Sequence, residues 1–358
     1  MARRMARHHL TAPGSSAAEV VRAMCGAHAQ IASAAELSVG IRLADATRQT
    51  VRDALWVDRT LVKTRGPRGT VHLLPAADLP MWLGALEQLP VKLSMLTPEQ
   101  TDQVVAAIAG ALADTELTAA ELTDEVVART GPWAGDPVLE AFQGKWPRWM
   151  EALGVAANRG ALCYAPNKGR KTAYTSPARW LRGVRPDPDG GVRLLEHYLR
   201  SYGPALPEHF ARWLGAPRRW VDGLFARAEV EECAGGFVVR GDTEFPAEPP
   251  RGVWLLPYFD AFAVGCHPRE ELFPGRAAQR ALSGGQAGNF PVVLVDGVVA
   301  GVWHQRRSGK RIAVTVETFA ELSSGRRREL DERVERVGAV MEGRAESTLG
   351  PVTVGAHA

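Results

Sequence analysis

The 358 residues are 46% hydrophobic and 23% charged, a balance that excludes a disordered chain and leaves room for two or three core-bearing domains. The net charge of +3 permits a polyanionic partner without requiring one, and only six of the 43 basic residues are lysines. Cys25, Cys163, Cys233 and Cys266 lie far apart with no CxxC spacing, no run of 18 apolar residues occurs, and the basic start MARRMARHHL lacks the apolar core of a signal peptide. The expectation is a cytoplasmic protein with no metal, no cofactor and no membrane association.

Ser16 opens a first helix, AAEVVRAMCGAHA, whose Val20, Met24 and Ala27 share one face. SAAE at Ser33 and Glu36 has the spacing of a capping box and predicts a second helix reaching about Ala44, so residues 28–32 form the joint between the two. A third helix spans about Thr47 to Val57, and the strand-like runs TLVKTRG and RGTVHLL follow, turning at Gly66 and Pro67. Three helices and a hairpin outline a winged helix-turn-helix.

The outline recurs twice. LTAAELTDEVVART, with a box at Thr118 and Glu121, precedes WPRWMEALGVAANRG and a wing made of ALCYAP and TAYTSP around the basic turn NKGRK. VRLLEHYLRSYG, PEHFARWLG and PRRWVDGLFARA then lead into AEVEECAGGFVVRG, with Gly235 and Gly236 at its turn. Beyond the Pro-rich FPAEPPRG come VWLLPYF, PVVLVDGVVAGVWH with a hairpin turn at Asp296 and Gly297, and RIAVTVETF; RRRELDERVERVGAVM closes the set as an amphipathic helix. The predicted class is α+β: three tandem winged helices at 1–90, 91–185 and 186–246, then a small β domain with a C-terminal helix at 247–358.

Three basic hairpin tips could track duplex phosphates: Lys63, Arg65 and Arg68; Lys168, Arg170 and Lys171; Arg306, Arg307, Lys310 and Arg311. Turns are often charged merely because they are solvated, but three such tips on wings and loops favour DNA. In the joint, His28 and Gln30 stand two residues apart. If the backbone there is extended they face the same way and can hold one water between them. The bland alternative makes His28 a helix C-cap and leaves Gln30 to satisfy loop backbone. Asp260, a lone acid in LLPYFDAF, reads as structural with a site role as the alternative, and His72 reads as a hydrogen-bonded structural histidine. No phosphate-binding Gly-rich loop, GxSxG or HExxH is present.

GAHAQIASAAELSVGIR at 26–42, RGTVHLL at 68–74, YLRSYGPALPEHFARWLG at 198–215, LLPYFDAFAVG at 255–265 and PVVLVDGVVAGVWH at 291–304 together resemble the winged-helix DNA glycosylases of the AlkZ and YcaQ kind, over essentially the whole chain. The resemblance implies a C-shaped arrangement around DNA and a monofunctional enzyme that excises N7-alkylated purines from double-stranded DNA, including crosslinks and bulky natural-product adducts of guanine, in some cases to protect a producing cell. A monomer is expected. The family's catalytic signature, Gln, an aliphatic or aromatic residue, then Gln or Asp, falls on His28, Ala29 and Gln30, so this chain carries His28 where the commoner pattern has Gln. The competing reading is a non-catalytic tandem winged-helix regulator or damage sensor.

Overall fold

The computed structural model describes residues 1–141 and 144–355. The chain divides into two compact units, one formed by Met1–Val57 with Leu195–Ala358 and the other by Asp58–Leu194.

The first unit begins with α1 (Ala2–Arg7), α2 (Ala17–Ala23), the two-residue strand β1 (Ala27–His28), α3 (Ala32–Gly40) and α4 (Arg48–Trp56). Ser16 caps α2 by accepting from the Glu19 amide, as its position before the apolar run predicts. The SAAE box does not form. Helix α3 starts one residue before Ser33, with no side-chain cap at Ile31, and ends at Gly40 rather than near Ala44. Its Glu36 is drawn away instead by Arg48 and Arg52 of α4, each 2.7 Å from the carboxylate. A carboxylate shared by two guanidinium groups makes stronger hydrogen bonds than one that reaches back to a neutral amide.

The second unit holds β2 (Leu61–Arg65), β3 (Val71–Pro75), α5 (Leu79–Glu87), α6 (Pro98–Ala111), β4 (Leu117–Thr118), α7 (Ala119–Thr130), β5 (Pro137–Glu140), β6 (Lys145–Pro147), α8 (Leu153–Asn158), β7 (Cys163–Lys168) and β8 (Lys171–Thr175). Strands β2 and β3 pair antiparallel with Arg65 facing Val71, and β7 pairs with β8 around the predicted basic turn. The Thr118 and Glu121 box closes as expected. In the segment WPRWMEALGVAANRG, Trp146 and Pro147 belong to β6 and the expected helix begins as a 3-10 helix, Arg148–Ala152, that runs directly into α8. Val104, Ile108, Leu122, Val126 and Trp149 form the centre of this unit's core. His72 has Nδ1 3.0 Å from the Thr70 carbonyl, consistent with a structural histidine.

Helix α9 (Gly190–Tyr202) runs from the second unit back into the first, where α10 (Pro207–Leu214), α11 (Arg218–Phe225), β9 (Val230–Cys233) and β10 (Gly236–Val239) follow. Tyr198, Phe210 and Trp213 pack as an aromatic cluster between α9 and α10. The rest of the chain supplies β11 (Val253–Leu256), α12 (Ala261–Gly265), α13 (Arg269–Leu272), α14 (Arg276–Ala281), β12 (Val292–Val295), β13 (Val298–Ser308), β14 (Arg311–Thr318), α15 (Ser324–Val340) and β15 (Arg344–Leu349). Strands β11 to β15 form a five-stranded sheet in chain order, antiparallel except for the β14–β15 pair. Asp296 and Gly297 both take positive φ at the β12–β13 turn, the primed geometry that suits a hairpin. The fold is mixed α+β.

The sheet also holds the helix that follows His28 and Gln30. Leu37 of α3 shares one core with Leu255, Trp303, Val334 and Val340. A Cβ on Gly40 would lie 2.5 Å from Val340, so only glycine lets α3 approach α15 this closely. Arg336 of α15 donates to the Gly40 and Leu43 carbonyls, at 2.8 and 2.6 Å, and so satisfies the end of α3. Burial, and then positively charged neighbours with Arg269 first, pushes the His267 imidazole down to about 3, and burial drives His8 well below the ordinary histidine range. Both are therefore neutral when folded, whereas an unfolded chain takes up those protons below about pH 6.5. Stability is full above that pH and is lost as pH falls towards 3. Denaturant titrations at pH 6.5 and 5 should differ by on the order of 1–2 kcal/mol from His267 alone. His267→Gln should shrink that difference; an unchanged slope would refute the assignment.

Candidate active site

Helix α2 closes without help from His28. Cys25 and Gly26 take positive φ, and their amides return to the Arg22 and Val21 carbonyls at 2.9 Å, the pattern that satisfies a helix C-terminus through its own backbone. The chain then leaves as the extended β1, which rules out the C-cap role for His28. Along this stretch Ala29 is buried, His28 is half-buried and Gln30 is exposed. Strand β1 ends at His28 and Gln30 lies in a bend just before α3, so the two polar residues flank the buried Ala29 between the end of α2 and the start of α3.

The His28 ring stacks on Phe259, with centroids 4.5 Å apart and planes 26° from parallel. Phe259 sits at φ +54, a conformation that costs a bulky residue on the order of 1–3 kcal/mol and persists only where its surroundings demand it. Those surroundings are specific. The Phe259 amide donates to the Gly288 carbonyl at 2.9 Å. Asp260, the next residue, accepts from the Phe262 amide at 3.0 Å and so caps α12. The same carboxylate takes a bidentate pair from Arg42, just beyond the end of α3, both bonds 2.8 Å, and a third bond of 2.7 Å from the Ser38 hydroxyl. Both charged side chains are fully buried. Asp260 is thus structural, as its lone position in an apolar run predicts, but the structure it makes adjoins His28. Tyr202 adds a second tie: its hydroxyl lies 3.0 Å from the Met24 and Ala261 carbonyls, sharing its proton between the end of α2 and the start of α12. Burial holds this phenol protonated, well above its usual range.

No sequence pattern marks out Arg42, Ser38, Tyr202 or Phe259. Arg42 stands 218 residues from Asp260, and only the tertiary fold brings them together.

The basic tips fare unevenly. In the second unit, Lys63 lies over the Tyr164 ring at 5.1 Å, which brings β2 against β7. Arg65 donates to the Gly69 carbonyl at 2.6 Å, Lys168 to the Glu116 carbonyl at 2.7 Å, while Arg68, Arg170 and Lys171 are exposed in or beside turns. In the first unit, Arg307 is engaged by the carbonyls of Gly309, Met341 and Glu342, and Arg311 lies 3.7 Å from Glu346; Arg306 and Lys310 are exposed at the hairpin end. Among the described residues, no group of three or more His, Cys, Asp or Glu side chains is placed to hold a metal ion, and no helix is long and apolar enough to cross a membrane.

The model of the DNA glycosylase AlkZ-like family matches residues 21–340, a span that contains the His28 segment, the Asp260 clamp and strands β11 to β14 of the sheet. The chain belongs to the AlkZ-like DNA glycosylase family. It is 32% identical over 310 residues to the interstrand DNA cross-link repair glycosylase of Streptomyces sahachiroi, covering 80% of this chain and 82% of that protein. The solved structure of Streptomyces sahachiroi DNA glycosylase AlkZ is similar to it with a TM-score of 0.80 at 27% identity, over 98% of both chains. This AlkZ-like protein is a DNA glycosylase.

Proposed function

We propose that this glycosylase hydrolyses the N-glycosidic bond of N7-alkylated guanine in double-stranded DNA, with His28 and Gln30 as its catalytic residues, and acts as a cytoplasmic monomer. The observation that supports the reading is the placement of His28, half-buried and stacked on Phe259, with the exposed Gln30 two residues on, between the self-capped end of α2 and the start of α3. The position is also that of the family's catalytic signature, with His28 in place of the first Gln. Alkylation at N7 makes the base a cation, so it can depart without a general acid. What remains is to aim water at the anomeric carbon and to stabilise the oxocarbenium-like charge there. Gln30 accepts a hydrogen bond from that water through its carbonyl oxygen. His28, when neutral, accepts a second and takes the proton as attack proceeds. A protonated His28 would repel the cationic sugar.

The helix–hairpin segments at 1–90, 91–185 and 186–246 are read as three winged helices that follow the duplex, and 247–358 as the β domain that supports the catalytic segment. The proposed substrates are bulky natural-product adducts and interstrand crosslinks, the latter because the Streptomyces relative is named for cross-link repair. Protection of a cell against its own genotoxin would follow from such a substrate. Three duplexes test the reading with wild-type protein: one bearing N7-methylguanine, one a bulky N7-guanine adduct, and one an N7–N7 interstrand crosslink. Abasic sites should accumulate in at least one adducted duplex and not in unmodified DNA; absence of release from all three would leave only DNA binding.

The exposed tip residues should add electrostatic affinity. Arg170→Ala with Lys171→Ala, and separately Arg306→Ala with Lys310→Ala, should each weaken binding to any duplex sequence. Each pair should also flatten the plot of log affinity against log salt by about 0.9 for every phosphate it no longer neutralises. Slopes equal to wild type would remove those tips from the interface.

A further inference from the structure

We infer that Phe259 is a positioning residue for base excision, a ring held by a buried scaffold so that the His28 imidazole keeps one orientation. The inference rests on the reading of His28 as catalytic and adds a residue to it.

Three independent anchors converge on Phe259. Its amide is fixed by the Gly288 carbonyl, and the close approach needs glycine: a Cβ at residue 288 would stand 3.1 Å from Phe259 Cδ1 and 3.2 Å from its Cα. Its carbonyl-side neighbour, Asp260, is held by Ser38 on α3 and by Arg42 just beyond it, and α3 begins two residues after Gln30. The segment after it is tied through the Ala261 carbonyl to Tyr202, and through Tyr202 to the Met24 carbonyl, four residues before His28. Scaffold and catalytic segment are thereby joined on both sides of β1. A half-buried phenylalanine needs none of this to fill space, and a left-handed backbone at a bulky residue is uncommon.

The stack leaves the imidazole a narrow range of ring rotation. A flat partner at 4.5 Å blocks one face and directs the ring nitrogens along the edge, where a nitrogen can meet the attacking water. Without that partner the ring samples other rotamers, and misplacement of about 1 Å at a reacting group can cost roughly a hundredfold in rate. DNA affinity should not depend on it.

The test is a double-mutant cycle between Phe259 and His28, read as single-turnover base release from an N7-methylguanine duplex together with affinity for that duplex. Phe259→Leu should slow release by about ten- to a hundredfold with affinity within about twofold of wild type, and Phe259→Tyr should restore most of the rate. In a His28→Ala background, Phe259→Leu should add less than about twofold, because the residue acts through the imidazole. If Phe259→Leu does not fold, Phe259→Met enters the same cycle. An equal loss in both backgrounds would overturn the positioning role while leaving His28 catalytic, as would full rate in Phe259→Leu. A His28→Ala protein as fast as wild type would overturn the reading of His28, and the positioning role with it.

Discussion

Asp260→Ala and Arg42→Met should each destabilise the protein by about 3–5 kcal/mol, because either change strands an uncompensated charge or polar group at a fully buried site. Arg42 spends its whole guanidinium here: Nε donates to the His8 carbonyl at 2.9 Å, Nη1 to the Ser38 carbonyl at 2.7 Å, and both terminal nitrogens to Asp260. Against a total stability of about 5–15 kcal/mol for a typical domain, such a loss is severe. The double replacement Arg42→Met with Asp260→Leu should cost less than the sum of the single ones, since neither charge is then left unpaired. Urea titration of the two single variants and the double variant checks this. Single losses under about 1 kcal/mol would show that the clamp is not what joins α3 to the segment carrying Phe259.

His28→Ala should slow base release by about a hundredfold to ten-thousandfold, the range for removing a general base, and Gln30→Ala should slow it as well. The two losses should not add, because the side chains serve one water.

How much of this is readable in the sequence depends on whether the controlling interactions are local. The Thr118 box, the Asp296–Gly297 turn and the basic hairpin turn at 168–171 are set by neighbours within a few residues, and they form as expected. The SAAE box fails for a tertiary reason, the pull of Arg48 and Arg52 on Glu36. Helix α5 is hard to see because LPMWLGALE is buried on nearly every side and carries no helical period. Helix α6 does carry a local signal, Thr97 and Gln100 spaced as a capping box with Pro98 in the first turn, although it lies outside the winged-helix outline. Strand β15, RAESTL, is too polar to announce itself and is recruited as an edge by parallel pairing with β14.

At the site, extended backbone at His28 is foreseeable as one of two options, and the self-capping end of α2 decides between them. The scaffold around Phe259 is not foreseeable. It joins residues from 24 to 288 through buried polar atoms whose partners no spacing rule connects.

The most direct test of the central claim uses the double variant His28→Ala with Gln30→Ala and measures two things in one sample: affinity for an N7-adducted duplex and base release from it. The variant should bind as wild type does and release base no faster than the duplex alone. Release at the wild-type rate would contradict the assignment of these two side chains to catalysis.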